Sequence, residues 1–145
     1  MFMALHSHYF ELELPLMRQD RPYSNIPGTY VLDPQHSMQG YELNMFCMSL
    51  NKPQNRDKFR LDEAAYLDDF PLTKEQRKAV LSRDWLGLLQ LGGNIYYTFK
   101  LAIFDRRNMQ YVGGAMSGVS EQEFTDMMIA GGRPVEGNLY TSEEK

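Results

Sequence analysis

The sequence has 145 residues, a formal net charge of −4, one Cys, one Trp and ten Met. This length suits one domain, in which folding buries about 68–70% of the unfolded surface. The acidic balance without a Lys/Arg block argues against a nucleic-acid or membrane-surface partner, and a single Cys allows no internal disulfide, as suits a reducing cytoplasm.

Residues 1–25 show no clear periodicity and read as an irregular N-terminal arm. Its start lacks basic residues, and Glu11 and Glu13 interrupt its apolar run, so it does not read as a signal peptide. His6-x-His8 with Glu11 supplies the residue types of a two-His-one-carboxylate iron site. Such sites need packed support that this arm does not offer, which favours solvated polar residues on a terminus.

Ile26-Pro27-Gly28-Thr29 is turn chemistry, and Tyr30-Val31-Leu32 a short extended run. Asp33-Pro34 pairs a capping carboxylate with a first-turn proline and predicts a helix to about Leu50. Tyr41, Met45 and Met48 form one apolar row on it, with Leu43, Phe46, Cys47 and Leu50 beside them. Cys47 inside that face reads as an inert buried thiol. Asn51-Lys52-Pro53 separates this helix from another, ending near Asp68, with Phe59, Ala64, Leu67 and Phe70 facing inward. The pairs Asp62-Glu63 and Asp68-Asp69 read as a solvated face, because sequence neighbours diverge on a helix.

Thr73 and Gln76 make a capping box after Phe70-Pro71. The helix they open carries Val80, Leu81, Trp85, Leu88 and Leu89, re-caps at Asp84 and stops at Gly92-Gly93. Asn94 caps the next helix, Ile95 to Phe104, in which only Thr98 and Lys100 are polar. That pattern predicts burial nearly all round, at a length far too short to span a membrane. Asp105 to Val119 reads as a glycine-rich loop whose Met109, Tyr111 and Met116 must be covered by something. Ser120 and Glu123 form a second capping box, with Val119 placed to staple onto Phe124, and the last helix runs from Glu121 to about Ala130. Gly131-Gly132 ends it, and Arg133 to Lys145 is a polar tail. The predicted fold class is all-α: a single domain of five or six helices without internal repeats.

The residues for autonomous catalysis are in short supply. No histidine follows His36, and the chain has no CxxC, HExxH, GxxxxGK or dinucleotide fingerprint. The apolar glycine-rich segment and the Met content favour a chain that closes over another protein's surface.

Several motifs in fixed order carry a resemblance. They are Ile26-Pro27-Gly28-Thr29, Gly40-Tyr41-x-Leu43-Asn44-x-Phe46-Cys47-Met48-Ser49-Leu50, Asn55-Arg56, Ala65-Tyr66-Leu67-Asp68, Gly92-Gly93-Asn94-Ile95-Tyr96, Gly114-x-Met116-x-Gly118 and Met127-Met128-Ile129-x-Gly131-Gly132-Arg133. Together they resemble the alpha (small) subunit family of protocatechuate 4,5-dioxygenase. The resemblance divides the chain into the arm (1–25), a helical dioxygenase alpha-subunit domain (26–138) and a flexible tail (139–145).

The resemblance implies a cytoplasmic hetero-oligomer in which this chain pairs with a larger beta subunit. The beta subunit of that family holds a non-haem Fe(II) and opens a catechol-type ring beside its two hydroxyls, using O₂. The alpha subunit supplies no iron ligand and no catalytic residue, and forms a lid. Excluding water from such a site strengthens its electrostatics and suppresses side reactions. The residues implied to lie near substrate are Asn94, Tyr96, Met109, Gln110, Tyr111, Gly114, Met116 and Ser117, each with packing inside this subunit as the alternative. The chain departs from the family pattern at Arg106-Arg107, where a small Asp-Gly-like turn is expected, and at Met109, where an aromatic is expected. Arg106, Arg107 or Arg133 could attract a benzoate carboxylate, although solvated arginines are the favoured reading. The choice among protocatechuate, gallate and a methylated relative stays open. Two other readings compete: a free-standing helical binding or regulatory protein, and a self-sufficient iron enzyme built on His6, His8, Glu11 and His36.

Overall fold

The computed structural model describes residues 30–132. The arm with His6, His8 and Glu11, Arg133 and the tail lie outside the described residues. Nine helices and no strand occur among them: α1 (Pro34–Gln39), α2 (Tyr41–Ser49), α3 (Pro53–Leu61), α4 (Glu63–Leu67), α5 (Lys74–Ser82), α6 (Trp85–Gln90), α7 (Ile95–Phe104), α8 (Met109–Ser117) and α9 (Glu121–Ile129). The all-α class is as expected. The count is higher because three expected helices each break in two and the expected loop at 105–119 contains a helix.

Each break has a local cause. Gly40 interrupts the first helix where the backbone of Gly92 lies against it; a Cβ on Gly40 would sit 1.8 Å from the Gly92 carbonyl oxygen. Asp62 leaves helical geometry (φ −155°, ψ 99°), and its carboxylate accepts the Ala65 N–H to start α4. Arg83 takes a left-handed conformation (φ 55°) after α5, and Asp84 re-caps α6 by accepting the Gly87 N–H, as expected.

The core joins Leu43, Phe46 and Cys47 of α2 to Phe59, Tyr66 and Leu67, to Val80, Trp85 and Leu88, and to Leu101, Ala102 and Val112. Its centre is aromatic. Phe46 meets Phe59 edge-on with centroids 5.2 Å apart, and Phe104 reaches Phe59 from α7 at 5.0 Å. Such pairs contribute about 0.5–1.5 kcal/mol beyond their buried area. Three expectations about burial are corrected. Tyr41 is 58% exposed, so the row it heads borders solvent, and Ala64 is exposed while Tyr66 takes the inner place. The helix expected to be buried nearly all round is not: Thr98, Leu101 and Ala102 of α7 enter the core, but Tyr96 is 80% and Ile103 55% exposed. Composition reports how apolar a helix is; the number of neighbours it has is set by the rest of the fold.

The glycine-rich segment is a further correction, because Met109–Ser117 is helical. Asn108 caps it by accepting the Tyr111 N–H at 2.7 Å. Its glycines fit close approach: a Cβ on Gly113 would meet the Phe124 ring at 2.4 Å, and one on Gly114 the Ser120 carbonyl oxygen at 2.9 Å. Packing of α9 onto α8 thus overrides the low helix propensity of glycine, about 1 kcal/mol per residue. Both Ser120 and Thr73 form the expected capping boxes. No helix among the described residues is long and apolar enough to cross a membrane.

Candidate functional site

The entry to α7 is fixed by buried amides. Gly92 has φ +90°, a conformation open to glycine, and packs on Gly40. Asn44, 6% exposed, donates from Nδ2 to the Gly92 carbonyl at 3.2 Å and accepts the Asn94 N–H on Oδ1 at 2.9 Å. Gln76, 2% exposed, donates to the carbonyls of Gln39 and Leu91 at 2.9 and 3.1 Å. A turn with free peptide groups is thereby satisfied inside the molecule, as buried polar groups require. Asn94 then accepts the Tyr96 N–H at 2.9 Å, and the first turn of α7 projects Tyr96 into solvent.

The exit from α7 is fixed by charge. The Arg83 guanidinium donates to both oxygens of Asp105, at 2.6 and 3.1 Å, and to both oxygens of Glu63. Burial opposes its charge, but the hydrogen bonds to Glu63 and Asp105 outweigh that and hold its pKa above the ordinary arginine value. Beyond Asp105, Arg106 adopts φ +58° and Arg107 donates its N–H to the Ala102 carbonyl at 2.8 Å. The Arg107 guanidinium lies 4.3 Å from the Tyr111 ring centroid. Arg83, Trp85, Asp105, Arg107 and Tyr111 line an open recess of about 240 Å³.

The eight residues implied to lie near substrate divide between the start of α7 and the length of α8. Asn94 and Tyr96 begin α7, whereas Met109, Gln110 and Tyr111 begin α8, after the ten residues of α7 and its exit turn. A helix of that length spans about 15 Å. Tyr96, Met109 and Gln110 are exposed, and Tyr111 is half-buried beneath Arg107. Gly114 is buried against the Ser120 carbonyl, and Met116 packs on the edge of the core. Ser117, half-buried, ends α8. Sequence reasoning missed Gln76 as an internal anchor, Asn44 as the fastener of the α7 entry, and Arg83 as the clamp on its exit. An Asn on an apolar helix face was the available signal for Asn44; Arg83 finds its partners 20 and 22 residues away and carried none.

Among the described residues, no three His, Cys, Asp or Glu side chains come together as a metal site. Burial pushes the Cys47 thiol up to about 12, so it is neither a thiolate ligand nor a nucleophile near neutral pH. His36 lies 3.2 Å from the Asp33 carboxylate at the start of α1. The described residues therefore do not fit an iron centre, and no chemical step is assigned to them.

Residues 43–129 match the family described as aromatic-ring-opening dioxygenase LigAB, LigA subunit. Gallate dioxygenase of Pseudomonas putida is 31% identical over 100 residues, which make up 68% of this chain and 29% of that protein. The chain thus matches somewhat under a third of that relative's length. The family match runs from the core face of α2 to the last residue of α9 and takes in Asn44, Gln76, Arg83 and all eight residues discussed above. Covering more than half of the chain, it makes this protein a member of the LigA subunit family of LigAB aromatic-ring-opening dioxygenases.

Proposed function

We propose that this chain is the small, non-iron-binding subunit of a cytoplasmic extradiol dioxygenase. In this reading a larger beta subunit holds Fe(II) and uses O₂ to open the ring of protocatechuate or a related dihydroxybenzoate. The observation that carries it is the share of the match: the part resembling this chain is 29% of a gallate dioxygenase, and the part outside the match is assigned the chemistry. Family membership supports the partner, and the relative's name supports a hydroxylated benzoate without choosing one. The division into arm (1–25), helical domain (26–138) and tail (139–145) belongs to the same proposal.

As a lid, the chain excludes water and positions side chains, which strengthens electrostatics at the covered site. Tyr96, Met109 and Gln110, exposed at the starts of α7 and α8, are assigned to face the partner. Asn94 caps the first of these starts, Tyr111 donates its N–H to the Asn108 cap of the second, and Gly114, Met116 and Ser117 lie further along α8. The test adds this chain to an iron-loaded large subunit and follows ring-opened product per O₂ consumed. The expected result is a rise in that ratio, lowered again in the complex by Tyr96→Ala with Met109→Ala. A ratio unaffected by the chain would remove the lid role.

A further inference from the structure

The outer face of α7 carries an apolar stripe that the described chain leaves open. Tyr96, Lys100 and Ile103 recur at three- and four-residue spacing and share one side of the helix, while Phe99 beside them packs against the core. The opposite side, with Thr98, Leu101 and Ala102, is in the core. Helices apolar on every side are ordinarily covered on every side, yet Tyr96 is 80% and Ile103 55% exposed.

Charge narrows what covers it. Lys100 sits in the stripe, and Arg106 and Arg107 follow in the exit turn. None of the three forms an ion pair among the described residues, while Asp105 beside them is engaged by Arg83. Lys100 within the stripe and Arg106 and Arg107 beyond its end are thus three cations without a carboxylate partner among the described residues, Arg107 being stacked on Tyr111, in a chain of net charge −4. The geometry points to a docking surface for an apolar protein groove edged with Asp and Glu, and we assign that groove to the large dioxygenase subunit. This assignment rests on the small-subunit reading above. A second copy of this chain fits less well, because stripe-on-stripe pairing brings two cationic stripes together and supplies no carboxylate to either. The C-terminal tip of α9 also exposes Met128 and Ile129, but the charge nearest them in that helix is Asp126, so it serves as the contrasting surface.

The experiment titrates the full chain against the large subunit at low and high salt, with thermal melts to confirm folding of every variant. Ile103→Gln is expected to weaken association about ten-fold or more, as loss of a central apolar anchor does. Lys100→Glu with Arg106→Glu should weaken it comparably and flatten its salt dependence. Met128→Gln with Ile129→Gln should leave it within about twofold, as expected outside the contact. Stripe variants that bind like the wild type, or loss confined to the α9 variant, would overturn the assignment. So would a wild-type homodimer that Ile103→Gln dissociates. Failure of the wild-type chain to bind the large subunit at all would instead overturn the small-subunit reading beneath it.

Discussion

Asn44 shows how much one side chain can position. Its amide satisfies both the Gly92 carbonyl and the Asn94 N–H, so truncation strands two buried groups. Asn44→Ala is expected to destabilise by about 2–3 kcal/mol, read from urea unfolding, and to free the first turn of α7 for amide exchange. Arg106, in a left-handed conformation, makes the opposite case. Arg106→Gly should raise the melting midpoint slightly and Arg106→Val should lower it, since a β-branched residue tolerates positive φ poorly. Legibility at this scale depended on distance along the chain. The unexpected arginine pair at 106–107 was visible as a departure from a small turn, but the sign of a backbone angle is not written in a side chain. Cys47 was legible because it lay within an apolar row. Its thiol, raised to about 12, should stay unreactive toward disulfide reagents at pH 8 until the protein unfolds.

At the scale of elements, caps were readable and continuity was not. Thr73, Asp84, Asn94 and Ser120 cap the helices they were expected to cap, because capping is settled within four residues. The helical state of α8 was hidden because its glycines answer to α9, whose Phe124 ring and preceding Ser120 carbonyl close on them. Gly114→Val should therefore act by collision and not by loss of flexibility, destabilising by about 1–3 kcal/mol as overpacking does, with α9 detaching first in hydrogen exchange. The α9 capping box also sets a pH response. Hydrogen bonds from the Ser120 hydroxyl and N–H hold the exposed Glu123 carboxyl below its usual 4.5. A depressed carboxylate pKa stabilises the folded state above the unfolded value, and that contribution is lost as pH falls through the folded one. Helical signal from α9 should accordingly weaken as pH drops below 4.5, and Ser120→Ala should remove most of that dependence.

For the whole molecule, the all-α class and the core face of α2 were legible from periodicity, whereas the open side of α7 was not. A helix with two polar residues in ten calls for cover, and the sequence does not say whether that cover is internal. The structure leaves Tyr96 and Ile103 outside, and family membership in a two-subunit dioxygenase supplies a reason for them to stay there. Asn94 and Tyr96 stand at the start of α7, and Met109 and Gln110 at the start of α8, so the contact proposed with the large subunit has two helix starts to cover. The most direct test of the central claim is ring opening of protocatechuate under O₂, with iron analysis, for this chain alone and co-expressed with the large subunit. The account predicts iron and turnover only in the pair. Iron and turnover in the chain alone would contradict it and would return attention to His6, His8 and Glu11.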